Sequence, residues 1–77
     1  MPREYRTEGL YDRTWLEKAR RAAGLKQYQV AELAHVSQGF YNRIESGVQI
    51  PNVKIGLAIT NAVGVSPNAW IDEKQIA

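Results

Sequence analysis

Residues 27–47 read QYQVAELAHVSQGFYNRIESG, and the spacing of their apolar positions predicts two short helices joined at His35 and Val36. In the first, Val30, Ala31 and Ala34 recur at i, i+1 and i+4, a stripe of helical period, while Gln27, Tyr28, Gln29 and Glu32 lie off it. Ala31 is small where two crossing helices must approach closely. His35 stands in a turn that needs positive φ, a conformation histidine adopts at some cost, and it is read as a turn residue rather than as a pH switch. Ser37 suits the start of the second helix, because its hydroxyl can accept from a backbone N–H left unpaired in the first turn. Tyr41 and Ile44, three apart, face inward. Gln38, Gly39, Asn42 and Arg43 fall on the other side, so the exposed face carries two planar amides, a guanidinium and one position without a side chain. Such groups can make bidentate hydrogen bonds to base edges in a major groove.

Outward from this stretch the chain continues in helices. Thr14-Trp15-Leu16-Glu17 has the pattern of a capping box, Leu16, Ala19 and Ala23 form an inward stripe, Gly24 can end the helix in a left-handed conformation, and Leu25 anchors the turn. On the other side, Val48-Gln49-Ile50-Pro51 forms a loop and Asn52 caps a largely buried helix carrying Val53, Ile55, Leu57, Ala58, Ile59, Ala62 and Val63. Gly56 inside it costs about 1 kcal/mol relative to alanine, which points to close packing against another backbone. Gly64 ends that helix, Val65 anchors the turn, and Ser66-Pro67 opens a short fifth helix with Trp70 and Ile71. The expected core is Leu16, Ala19, Leu25, Val30, Ala31, Val36, Tyr41, Ile44, Leu57, Ala58, Ile59, Val65 and Trp70. Residues 1–13 read as a flexible N-terminal arm on which Leu10 and Tyr11 touch the body, 14–71 as one domain, and 72–77 as a C-terminal tail that frays.

Gln27, Val30, Ala31, Val36, Ser37, Tyr41, Arg43, Ile44, Glu45 and Gly47 follow the spaced pattern of a known family, and the segment resembles the helix-turn-helix of the Cro and phage-repressor (xenobiotic-response-element) family. With flanking helices the likeness runs over residues 14–71, and so many positions at fixed offsets make it specific. The resemblance implies an all-α, five-helix lambda-repressor-like domain that binds double-stranded DNA in a sequence-specific way. It further implies a dimeric transcriptional regulator, a repressor of phage or mobile-element type. Two departures stand out. Lys26 replaces the usual threonine or serine cap, and Val48, Gln49 and Ile50 replace the basic residues often found after the glycine. Two apolar side chains there keep a second class open, an antitoxin or other protein-interaction module whose partner is an anti-repressor or a toxin.

Composition bounds the rest. A chain of 77 residues allows one small domain with a thin core, and with no cysteine and one histidine it has neither disulfides nor a metal cluster. No cofactor is expected. No stretch approaches a membrane span or a signal-peptide core, so a cytoplasmic, nucleoid-associated protein is expected. The net charge is +2. In residues 1–13, Arg3, Arg6 and Arg13 balance Glu4, Glu8 and Asp12, so the arm is read as adding little to DNA affinity. The excess lies in Lys18, Arg20, Arg21, Lys26, Arg43 and Lys54 against Glu17, Glu32 and Glu45, which permits a nucleic-acid surface without requiring one. Catalysis finds no constellation: His35 and Ser37 lack a fixed aspartate, since Asp12 and Asp72 fall in the arm and the tail.

The resemblance also assigns roles. Gln38, Gly39, Asn42 and Arg43 are expected at base edges, Gln38 foremost, with its amide matching adenine N6 and N7 and Arg43 reaching guanine or a phosphate. Gln27, Lys26, Phe40, Asn52 and Lys54 are expected at the DNA backbone, Gln27 also bracing Gln38. Arg20 and Glu45 are expected to form an ion pair between the first helix and the end of the recognition helix. Apart from the resemblance, apolar residues left over once the core is filled put the expected homodimer contact around Ile50, Trp70, Ile71 and the tail, with Trp70 the alternative to its place in the core.

Overall fold

Positive φ at Gly24 (75°), His35 (60°), Gly47 (89°) and Gly64 (77°) ends each of the first four helices. The computed structural model describes residues 11–73. The elements are α1 (Thr14–Ala22), α2 (Gln27–Leu33), α3 (Gln38–Glu45), α4 (Val53–Val63) and α5 (Asn68–Ile71), and no strand occurs among the described residues. After α2, the Val36 N–H donates to the Ala31 carbonyl (3.0 Å) and the His35 N–H to that of Glu32 (3.1 Å), the paired bonds of a left-handed helix stop. A side chain at His35 is therefore under backbone strain, which glycine would relieve. His35→Gly is expected to raise the melting temperature by a few degrees, and an unchanged or lower value in a thermal melt would show that the left-handed turn costs histidine nothing.

α2 packs against both α3 and α4, and α1 crosses α3 and α4. The buried apolar core is Leu16, Val30, Ala31, Ala34, Tyr41, Ile44, Ile59 and Val63, with Trp15, Ala19, Leu25, Val36, Phe40, Ile55, Ala58, Ala62, Val65 and Trp70 packed on it. Leu57, expected inside, is 47 % exposed, and Val53 is 79 % exposed. The inner face of α4 is instead Gly56, Ile59, Thr60 and Val63. An apolar residue stands on nearly every side of α4, so hydropathy does not set which way the helix is turned, and the helix is half exposed rather than largely buried. Thr60 tolerates full burial because its hydroxyl donates to the Gly56 carbonyl at 3.1 Å. The close approach at Gly56 is to an indole, not to a backbone: Trp70 Nε1 donates to the Gly56 carbonyl at 2.9 Å, and a Cβ there would stand 3.3 Å from Nε1.

The start of α1 also differs from expectation. Thr14 does not cap it; the Asp12 carboxylate accepts from the Thr14 N–H (3.1 Å) and hydroxyl (2.9 Å), and these bonds lower its pKa. Glu17 pairs with Arg21 at 2.7 Å, one turn along. Ala23 is exposed, and Arg20 takes the inward place beside Leu16.

Arg13 and Glu73, assigned by the sequence to arm and tail, are both buried and form an ion pair. Arg13 also donates to the carbonyls of Ile44 (2.6 Å) and Gln49 (3.0 Å) and lies 4.9 Å from the Trp70 ring and 5.3 Å from the Tyr11 ring. Trp15 Nε1 donates to the Glu73 carboxylate at 2.9 Å, and its ring meets Trp70 edge-on at 4.9 Å. The backbone of Tyr11 runs so close to Gly47 that a Cβ there would fall 2.2 Å from the Tyr11 carbonyl oxygen. The expectations for Arg3, Arg6, Leu10 and the last four residues lie outside the described residues.

Candidate nucleic-acid interface

Ser37 starts α3, its hydroxyl accepting from the Phe40 N–H at 3.1 Å. Tyr41 and Ile44 are wholly buried, which fixes the rotation of the helix and turns Gln38, Gly39, Asn42 and Arg43 outward, all four exposed. The Arg43 guanidinium lies 5.7 Å from the Phe40 ring and passes Gly39, where a Cβ would stand 4.0 Å from it. Phe40 itself is half-buried against the core, so its ring supports Arg43 from below.

Behind this face sits a hydrogen-bonded ion pair. Glu45 Oε1 accepts from Arg20 Nε (2.8 Å) and from the Tyr41 hydroxyl (2.8 Å); Oε2 accepts from the second Arg20 nitrogen (3.2 Å) and from Gln27 Nε2 (3.1 Å). Arg20 holds the carboxylate in a fork, the geometry that makes such pairs strong, and also donates to the Leu25 carbonyl at 2.9 Å. Burial pushes the Glu45 carboxyl up, but the bonds from Arg20, Tyr41 and Gln27 outweigh it and hold the group below its ordinary value. The same contacts raise Arg20, while burial and then Glu45 push the Tyr41 hydroxyl far above its usual range. α1, α2 and α3 are thus tied at one carboxylate.

Gln27 does not brace Gln38. One end of its amide is spent on Glu45, and its Oε1 accepts from Asn42 Nδ2 at 3.1 Å. At the start of α2, the Lys26 N–H donates to Gln29 Oε1 at 2.8 Å; the glutamine three residues on reaches back where the expected serine or threonine is missing. Asn52 caps α4 through the Ile55 N–H at 2.8 Å, and Lys54 is exposed on its first turn. Ile50 and Ile71 are exposed beside Val53 and Leu57, around an apolar cavity of about 340 Å³ that Tyr11, Pro51 and Trp70 also line. Trp70 is half-buried, its N–H committed to Gly56.

A family model described as helix-turn-helix, of the Cro/C1 type, matches residues 16–70. The chain belongs to that family. In this helix-turn-helix domain α2 and α3 are the pair that names the motif, and the matched span takes in all five helices but for Thr14 and Trp15 of α1 and Ile71 of α5. The family is one of DNA-binding domains. No match was found among curated proteins or among solved structures. No described helix is long and apolar enough to cross a membrane.

Sequence reasoning missed Arg13, Glu73 and the Gln27–Asn42 bond. An arginine just before a helix, 60 residues from its carboxylate, carries no local signal. The Gln27–Asn42 contact had one, since both were already assigned to the interface and a glutamine at the start of α2 sits across from α3.

Proposed function

We propose that this protein is a sequence-specific double-stranded DNA-binding transcriptional regulator, a dimeric repressor of phage or mobile-element type. The observation that carries the reading is the outward face of α3: four exposed positions with two amides and a guanidinium, on a helix whose opposite side is locked by Tyr41, Ile44 and Glu45. A rigid helix bearing planar donor–acceptor groups is what reading a major groove demands. Gln38, Gly39, Asn42 and Arg43 meet base edges. Lys26, Gln27, Asn52 and Lys54, around the starts of α2 and α4, and Phe40, on the first turn of α3, follow the backbone. The apolar patch of Ile50, Val53, Leu57 and Ile71 beside Trp70 supports pairing of two copies, which lets two recognition helices reach half-sites about one helical turn apart.

Selection from random duplexes with the purified protein, followed by affinity titrations, tests this. Affinity is expected to fall steeply with rising salt, because phosphate contacts release counterions. Gln38→Ala should cost about 1–3 kcal/mol on the selected site and relax preference at one base pair per half-site, whereas Lys54→Ala should weaken all sequences alike. A chain that binds protein only would show no salt slope on duplex DNA, and a 1:1 complex on a palindromic site at high protein concentration would remove the dimer.

A further inference from the structure

We propose that Gln27 decides which base pair Asn42 reads, as a positioning residue that turns the Asn42 amide to present one N–H and its carbonyl oxygen to the groove, the pair that matches adenine. This rests on the DNA-binding reading above. The series of bonds starts at Glu45. An ionised carboxylate only accepts, at about four positions, and here all are taken: Arg20 twice, the Tyr41 hydroxyl and Gln27 Nε2. Gln27 must therefore offer N–H inward, which leaves its Oε1 on the outer side. That oxygen in turn demands a donor, and Asn42 supplies Nδ2 at 3.1 Å. No member of the series can reverse without setting two acceptors or two donors face to face.

Asn42 keeps one N–H and its whole carbonyl oxygen. Adenine takes that pair, N7 accepting from the N–H and N6 donating to the oxygen. Gln38, exposed on the first turn of α3, takes no part in the series and can present its amide either way round. The orientation of the Asn42 amide is thus set by a carboxylate it does not touch, through a glutamine on another helix. Preference for A·T is expected to be sharper at the Asn42 position than at that of Gln38.

The test uses the full chain and duplexes varied at the base pair whose preference Asn42→Ala abolishes. Wild type should favour A·T there by about tenfold or more, as a bidentate contact does. In Gln27→Met, which keeps the side chain's length and removes its amide, the ratio should drop severalfold, to that of an unbraced amide such as Gln38, while the preference at the Gln38 position stays. Asn42→Asp, with acceptors only, should move the preference to C·G. In the free protein, the Asn42 amide proton bonded to Gln27 should exchange with water more slowly than the amide protons of Gln38, and Gln27→Met should remove the difference. Undiminished A·T preference in folded Gln27→Met, or in Asn42→Asp, overturns the proposal. Slow amide exchange in a protein that binds no duplex would instead sink the DNA-binding reading, and the assignment of a base with it, while leaving the bond itself established.

Discussion

Glu45→Ala is expected to cost about 3 kcal/mol or more, because removing one partner of a largely buried pair strands the other. The substitution leaves the Arg20 fork, the Tyr41 hydroxyl and the Gln27 amide facing an empty site. For a domain of this size each kcal/mol moves the melting temperature by roughly 4–8 °C, so a fall of at least roughly 12 °C is expected in a thermal melt. An unchanged melting temperature would mean that the pair is solvated and merely drawn together. Acid makes an independent check. The folded-state pKa of Glu45 lies below its ordinary value of 4.5, so its contribution is fully present above that value. It is lost as pH falls through the depressed folded value, where the carboxylate takes up a proton and stops accepting from Arg20. Wild-type stability should decline below about pH 4.5 and that of Glu45→Ala should decline less steeply.

Arg13→Ala should be at least as damaging, by about 3–5 kcal/mol, since it leaves the Glu73 carboxylate buried without its cation. It also withdraws the donor from two carbonyls, Ile44 at the end of α3 and Gln49 in the following loop, and each unpaired buried acceptor adds to the loss. A cation at a helix C-terminus further favours the helix dipole, so the end of α3 should loosen. Urea denaturation gives the magnitude, and hydrogen exchange should show faster opening at Ser46, Gly47 and Val48, whose N–H groups bond back into α3. Replacing both partners, Arg13→Met with Glu73→Met, should recover part of the stability, because a buried pair exchanged for apolar volume is often neutral. A double variant no more stable than Arg13→Ala would locate the effect in the two carbonyls rather than in the pair.

Both sites lie where side chains far apart in the chain converge, which bears on how much the sequence could tell. The helices were legible because apolar residues at helical spacing, Ser37 and Asn52 as caps, and glycines after α1, α3 and α4 act within a few residues of themselves. The outward face of α3 was legible for the same reason: once Tyr41 and Ile44 are inside, Gln38, Asn42 and Arg43 have no other side to occupy. Where a local pattern is absent or ambiguous, long-range contacts decide instead. At the start of α1 the Thr14 N–H and hydroxyl turn back to the Asp12 carboxylate, and no side chain caps the helix from the N-cap position, Arg13. α4 is apolar on almost every side, so hydropathy points Leu57 inward and gives no sign that Thr60 is the buried residue.

By itself, then, the sequence determined the all-α class, the α2–α3 pair and which residues of α3 face outward, since each follows from period, capping and turn chemistry along a continuous segment. Only the tertiary structure decided that Arg13 is a buried hub rather than part of an arm, how α4 is turned, and that Gln27 answers to Glu45 and Asn42 rather than to Gln38. Those outcomes depend on which groups meet across 15 to 60 residues of chain, and there the need of a buried charge or amide for a complementary partner, not local periodicity, selects the arrangement.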